Sequence, residues 1–100
     1  MVQARSNRAR LLGTVERIAI TADCPTGWSA IRLRVVRCDD IDGIANMLAT
    51  TVGTSVDVLV SSDDVARAAV AVNDEVTIES RRVSPRRVVG DGSTLEQITR

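Results

Sequence analysis

The sequence has no histidine, tyrosine, phenylalanine or lysine. Without histidine or tyrosine, the commonest general bases and the familiar nucleophile–base triads cannot be assembled. The chain is therefore read as non-catalytic. Its two cysteines, Cys24 and Cys38, have no histidine to join them and fall short of a zinc ligand set. No metal and no cofactor are expected. Asp39, Asp40 and Asp42 crowd one turn but lack the longer array ending in Glu that a calcium loop needs. They read as a solvated acidic turn. Apolar runs of membrane-spanning length are missing, and Arg5, Arg8 and Arg10 lead only into Leu11 and Leu12, unlike a secretory signal. The expectation is a cytoplasmic protein, off the membrane, with two reduced thiols, Cys24 being packed or idle.

Aromatic side chains are nearly absent too. Trp28 is the single one among 100 residues, although 44% of the chain is hydrophobic. The core must come from Val, Ile, Leu and Ala, and β-branched residues favour strands. One domain is expected at this length.

Residues 1–10 are polar, basic and aperiodic, and read as a flexible arm ahead of a barrel domain over 11–90 and a polar tail over 91–100. A first strand is predicted over Thr14 to Thr21, with Ile18 and Ile20 on one face. Val15 falls out of that register, which predicts a bulge near Arg17. A turn around Pro25 and Gly27 leads into a second strand, Trp28 to Arg37. Here Ile31, Leu33 and Val35 point one way, and Arg32 and Arg34 the other. Ile44 to Thr51 admits either a short helix or an extended excursion. A third strand covers Ser55 to Ser61, with Val56, Val58 and Val60 on one face and Asp57 and Leu59 on the opposite one. Ser61 or Ser62 suits a helix N-cap, with Asp63 and Asp64 at the positive helix start. The helix, Asp63 to Ala71, turns Val65, Ala68, Ala69 and Val72 inward. A tight turn at 73–75, a fourth strand over Val76 to Val83 and a short fifth over Arg86 to Gly90 complete the pattern.

The order β-β-β-α-β-β predicts an all-β domain with one short helix. It is the order of an oligonucleotide/oligosaccharide-binding (OB) fold, a five-stranded Greek-key barrel. Ala4 to Val15, a small-residue and Arg-Asn segment running into Leu, Gly, Thr, Val, resembles the opening of the molybdate-binding, transport-associated branch of that superfamily. Val72-Asn73-Asp74-Glu75-Val76 is similar to its Gly-Asp-Glu-Val turn, with Asn73 in place of the Gly, and Arg81 falls near a family Lys. The resemblance implies an OB barrel and an oxyanion ligand. It departs where the family places a Ser early in the helix: Asp64 stands there, and a carboxylate repels molybdate. The segment from Cys38 to Thr54 is also longer than the family needs.

Formal net charge is zero, yet charge is segregated along the chain. Residues 1–37 carry +5, residues 38–80 carry −8 and residues 81–100 carry +3. Arg32 and Arg34 occupy the non-core face of the second strand with Arg17 adjacent, and Arg81, Arg82, Arg86 and Arg87 flank the last strand pair. The outer face of the second and third strands is the usual ligand surface of an OB barrel. These seven arginines and Trp28 are the candidate site for single-stranded nucleic acid or another polyanion. Trp28 is open to two readings, a plug for one end of the barrel or a stacking platform for a base. With one aromatic no run of bases can stack, so binding is expected to be weak, electrostatic and salt-sensitive. The alternative is a structural or protein-interaction module whose basic and acidic surfaces pair with a partner protein or in a homo-oligomer. A third reading is molybdate-like oxyanion binding.

Overall fold

The computed structural model describes residues 7–22 and 24–98. Strand β1 (Ala9–Ala19) and strand β2 (Trp28–Asp40) form an antiparallel hairpin. Strand β3 (Ser55–Ser61) adds antiparallel to β2. Strand β4 (Glu75–Ser84) lies antiparallel to β1 and to β5 (Arg87–Gly90), and β5 runs parallel to β3. The order β1-β2-β3-β5-β4 returns to β1 and closes a five-stranded barrel, an OB-like fold. The helix α1 (Ser62–Arg67) sits between β3 and β4.

The core is built as the composition demands. Leu11, Val15, Ile31, Leu33, Val35, Val58, Val60, Val76 and Ile78 are all at most 2% exposed and contain no aromatic. Alternation on β2 holds, with Ile31, Leu33 and Val35 buried and Arg32 and Arg34 exposed. On β1 the predicted strand starts too late. Pairing begins at Ala9, and Leu11 and Val15 carry the buried face, while Ile20 lies beyond the strand and is 77% exposed. The bulge expected near Arg17 is present. The register to β2 shifts between Val15 and Arg17, so Glu16 is the extra residue and inward parity passes to Ile18.

Two glycines let the barrel close. A Cβ on Gly13 would stand 2.7 Å from the Arg34 carbonyl oxygen, at a second register shift where β1 bends over β2. A Cβ on Gly90 would meet Ile78 Cδ1 at 2.5 Å, so β5 can cross the barrel end only without a side chain there.

The expected boundaries at 11 and 90 do not coincide with the ends of the packed structure. Of the predicted arm, residues 1–6 lie outside the described residues. Asn7 is buried, and its amide holds the Arg82 backbone at both ends: Nδ2 donates to the Arg82 carbonyl at 2.8 Å and Oδ1 accepts from the Arg82 N–H at 2.7 Å. Of the predicted tail, Leu95 is 2% exposed, and Glu96–Gln97 forms a short strand, β6, beside β4.

Ile44 to Thr51 is neither of the two forms expected. Ala45 bridges Asn7, Leu48 is fully buried and only Ala49–Thr51 make a 3-10 turn. Helix α1 is shorter than predicted because Ala69 turns left-handed at φ 53. Val65, Ala68 and Val70 consequently pack on the core, while Ala69 is exposed and Val72 is 50% exposed. Ser61 holds the N-cap position without a capping bond from its side chain, and the Ser62 hydroxyl instead meets that of buried Ser29 at 2.7 Å.

Candidate nucleic-acid interface

The outer face of the barrel follows from the same alternation. Because Ile31 and Leu33 point in, Trp28, Ala30, Arg32 and Arg34 form an outward row on β2. Their β3 partners are Ser61, Leu59, Asp57 and Ser55 in turn. On the other flank Ala19, Arg17 and Thr14 stand opposite Ala30, Arg32 and Arg34. Arg17 and Arg32 are therefore direct cross-strand neighbours of like charge, an arrangement that repels.

Asp57 relieves it. The Arg32 guanidinium donates through Nε to Asp57 Oδ1 at 3.0 Å and through a terminal nitrogen to Oδ2 at 3.3 Å. These bonds hold the Arg32 pKa above its already high ordinary value, with the field of Glu16 adding to the effect. Glu16, displaced outward by the bulge, accepts a hydrogen bond from the Ser55 hydroxyl. The bulge that curves β1 thus also sets an acid beside the basic row.

A cleft of about 630 Å³ opens on this face. Its walls are two loops, the β1–β2 turn with Thr21 and Cys24 and the β4–β5 turn with Ser84, Arg86 and Arg87. Ala30, Asp57 and Leu59 make its floor. A smaller recess shares Thr21, Ala30 and Asp57 and adds Arg17 and Arg32. The two together hold four arginines against Asp57, a net charge of +3. Among the described residues, no ion pair involves Arg17, Arg86 or Arg87. Of these four arginines, only Arg32 has an ion-pair partner among the described residues.

The chain matches no family model, no curated protein and no solved structure.

Of the eight candidates, the fold brings Arg86 and Arg87 to the cleft and Arg17 and Arg32 to the smaller recess. Arg34 stands farther along the same outer row, opposite Thr14 and Ser55. Trp28 opens that row, half-buried, and does not line the cleft or belong to the buried core cluster. Arg81 lines a different recess, over β4 and β5, with Arg8, Glu79 and Asp91. Arg82 is structural. Its guanidinium donates to the Met47 and Pro85 carbonyls at 3.2 and 2.9 Å.

Asp57, Thr21 and Ser84, none of them a candidate from the sequence, line the cleft, as does Cys24, which was read there as packed or idle. Alternation had already put Asp57 on the outer face of β3. Its pairing with Arg32 needed the β2–β3 register, and Ser84 and Thr21 needed the barrel to bring two distant loops together. Cys24 and Cys38 are free thiols, Cys24 lying 3.4 Å from the Thr21 hydroxyl. Among the described residues, no cluster of three or more His, Cys, Asp or Glu could hold a metal, and no helix is long and apolar enough to cross a membrane.

Proposed function

We propose that this chain is a non-catalytic OB-like module that binds single-stranded nucleic acid as a polyanion across its β2–β3 face. The observation that carries the reading is the placement of Arg86 and Arg87 in an open cleft between the β1–β2 and β4–β5 loops, with Arg17 and Arg32 in a smaller recess that shares Thr21, Ala30 and Asp57 with it. That face and those two loops are where OB barrels take oligonucleotides. The guanidinium is suited to phosphate, since its planar fork offers paired donors and stays charged at any physiological pH. No aromatic lines the cleft, so stacking, worth ~1–3 kcal/mol per base, contributes little and affinity rests on charge. The cytoplasmic setting read from the thiols belongs to the same proposal.

The test is fluorescence anisotropy with a short single-stranded oligonucleotide. Binding is expected at low ionic strength and release as salt rises, at a similar midpoint for unrelated sequences. Failure to bind at low ionic strength overturns the reading and leaves the protein-interaction alternative. One observation favours that alternative at another part of the surface. Val36 and Val52 are 57% and 46% exposed near the same shoulder of β2, where the Gly53 N–H donates to the Val35 carbonyl at 2.8 Å.

A further inference from the structure

Asp57 is out of place in a phosphate-binding cleft. It lies on the floor, within the surface that Arg86 and Arg87 would offer to phosphates, and a carboxylate there repels a polyanion. Arg32 accounts for part of it by fixing both oxygens from one side. A carboxylate has about four acceptor positions, however, and the two bonds from Arg32 leave the others available. Thr21 and Ser84 add hydroxyls to the same cleft, while Ala30, Leu59 and Val88 are its apolar patches. The lining thus suits a ligand with alternating anionic and hydroxyl groups and no need for stacking. A ribose–phosphate backbone has that composition, and a deoxyribose one lacks the hydroxyl.

We infer that the cleft selects RNA over DNA, with Asp57 accepting a hydrogen bond from a ribose 2′-hydroxyl while Arg86 and Arg87 hold the adjoining phosphates. The inference rests on the proposed nucleic-acid reading and specifies its ligand. Its physical basis is an asymmetry. With RNA the carboxylate gains a donor and forms a charge-assisted hydrogen bond. With DNA its remaining acceptor positions face phosphates with no donor, and a charged acceptor left short of donors in an interface costs affinity. The 2′-hydroxyl is the group by which a protein tells the two polymers apart. Arg32 is a positioning residue here, since its two-point grip fixes where the carboxylate points.

The experiment compares oligo(rU) and oligo(dU) of equal length by anisotropy at low ionic strength, so that the bases are identical. The wild type should prefer rU by roughly tenfold or more, the range of a hydrogen bond to a charged group. In Asp57→Asn the charge is gone but the shape is kept. Its dU affinity should rise, its rU affinity should fall, and the ratio should approach one. A 2′-O-methyl oligo(U) on the wild type repeats the test without any variant, and should bind like dU because its donor is blocked. Equal rU and dU affinity in the wild type overturns the ribose selection and leaves polyanion binding standing. An rU preference undiminished in folded Asp57→Asn, whose amide can accept only a neutral hydrogen bond, or undiminished 2′-O-methyl binding, removes Asp57 from the explanation. Failure of all three oligonucleotides to bind overturns the nucleic-acid reading itself.

Discussion

Two faces of this barrel carry arginines and use them in opposite ways. On the β1–β4 face, Arg8 Nε lies 2.9 Å from Glu79 Oε1 and a terminal nitrogen bonds Asp91 Oδ2, while Arg10 comes within 3.6 Å of the second Glu79 oxygen. Both of those arginines are paired with acids, and they share Glu79. On the β2–β3 face, Arg17, Arg86 and Arg87 surround an Asp57 that Arg32 has already engaged. The first face is a clasp that joins β1 to β4 and to the segment after β5. The second is a cleft with uncompensated charge. Arginine content alone does not distinguish them; what differs is which arginines the fold supplies with acids.

The largest expected difference is in binding. Arg86→Ala with Arg87→Ala should flatten the log–log salt dependence by roughly 1.4, at ~0.7 per lost phosphate contact on a single strand. The melting temperature should hardly move, since exposed substitutions usually stay within ~0.5 kcal/mol. Anisotropy across a salt series together with thermal melting checks both. Equal loss of binding from Arg10→Ala would abolish the distinction between the faces.

The converse holds for Arg8→Ala. Binding should be retained while stability falls by about 1 kcal/mol, a figure kept small because the pair is partly exposed. Urea titration gives the value.

Acid should separate the faces next. The Asp91 pKa is held below its ordinary value, first by the Ser93 hydroxyl and then by Arg8. A carboxyl depressed in the folded state contributes stability that is complete above the unfolded pKa, about 3.9. That contribution is lost as pH falls through the lower folded value. Asp91→Asn should therefore reduce stability at neutral pH and remove part of the acid-dependent loss below about pH 4, seen as a flatter melting curve against pH. Oligonucleotide binding, by contrast, should be flat from pH 5 to 8, because the sequence has no histidine to titrate there.

The smallest effect is a control that touches neither face. Ala69 occupies the left-handed region at φ 53, where glycine is at ease and alanine is strained. Ala69→Gly should raise stability by about 0.5–1 kcal/mol after the extra chain entropy of glycine is offset, with binding and its salt dependence unchanged.

Much of this was legible in the chain. With one aromatic and a surplus of Val and Ile, the core had to be aliphatic and strand-borne, and the β2 alternation placed Arg32 and Arg34 outward because side chains on a strand alternate with period two. Ser55–Ser61 reads as a strand for the same reason and is one. The order of elements predicted the barrel.

What periodicity could not reach depended on the closed sheet. The start of β1 at Ala9 follows from pairing on both sides, to β2 and β4. Leu48 and Leu95 are buried by the barrel they lie against, not by any repeat in their own segments. The division of the arginines was settled in the same way. Arg82 and Arg86 are four residues apart and chemically identical, yet one is anchored on backbone carbonyls and the other lines the cleft. The sequence by itself determined the aliphatic core, the outward row on β2 and the barrel order, because each depends on local alternation and element succession. Only the tertiary structure decided which charges are matched, because an ion pair depends on distances between strands, and strand register and closure set those distances.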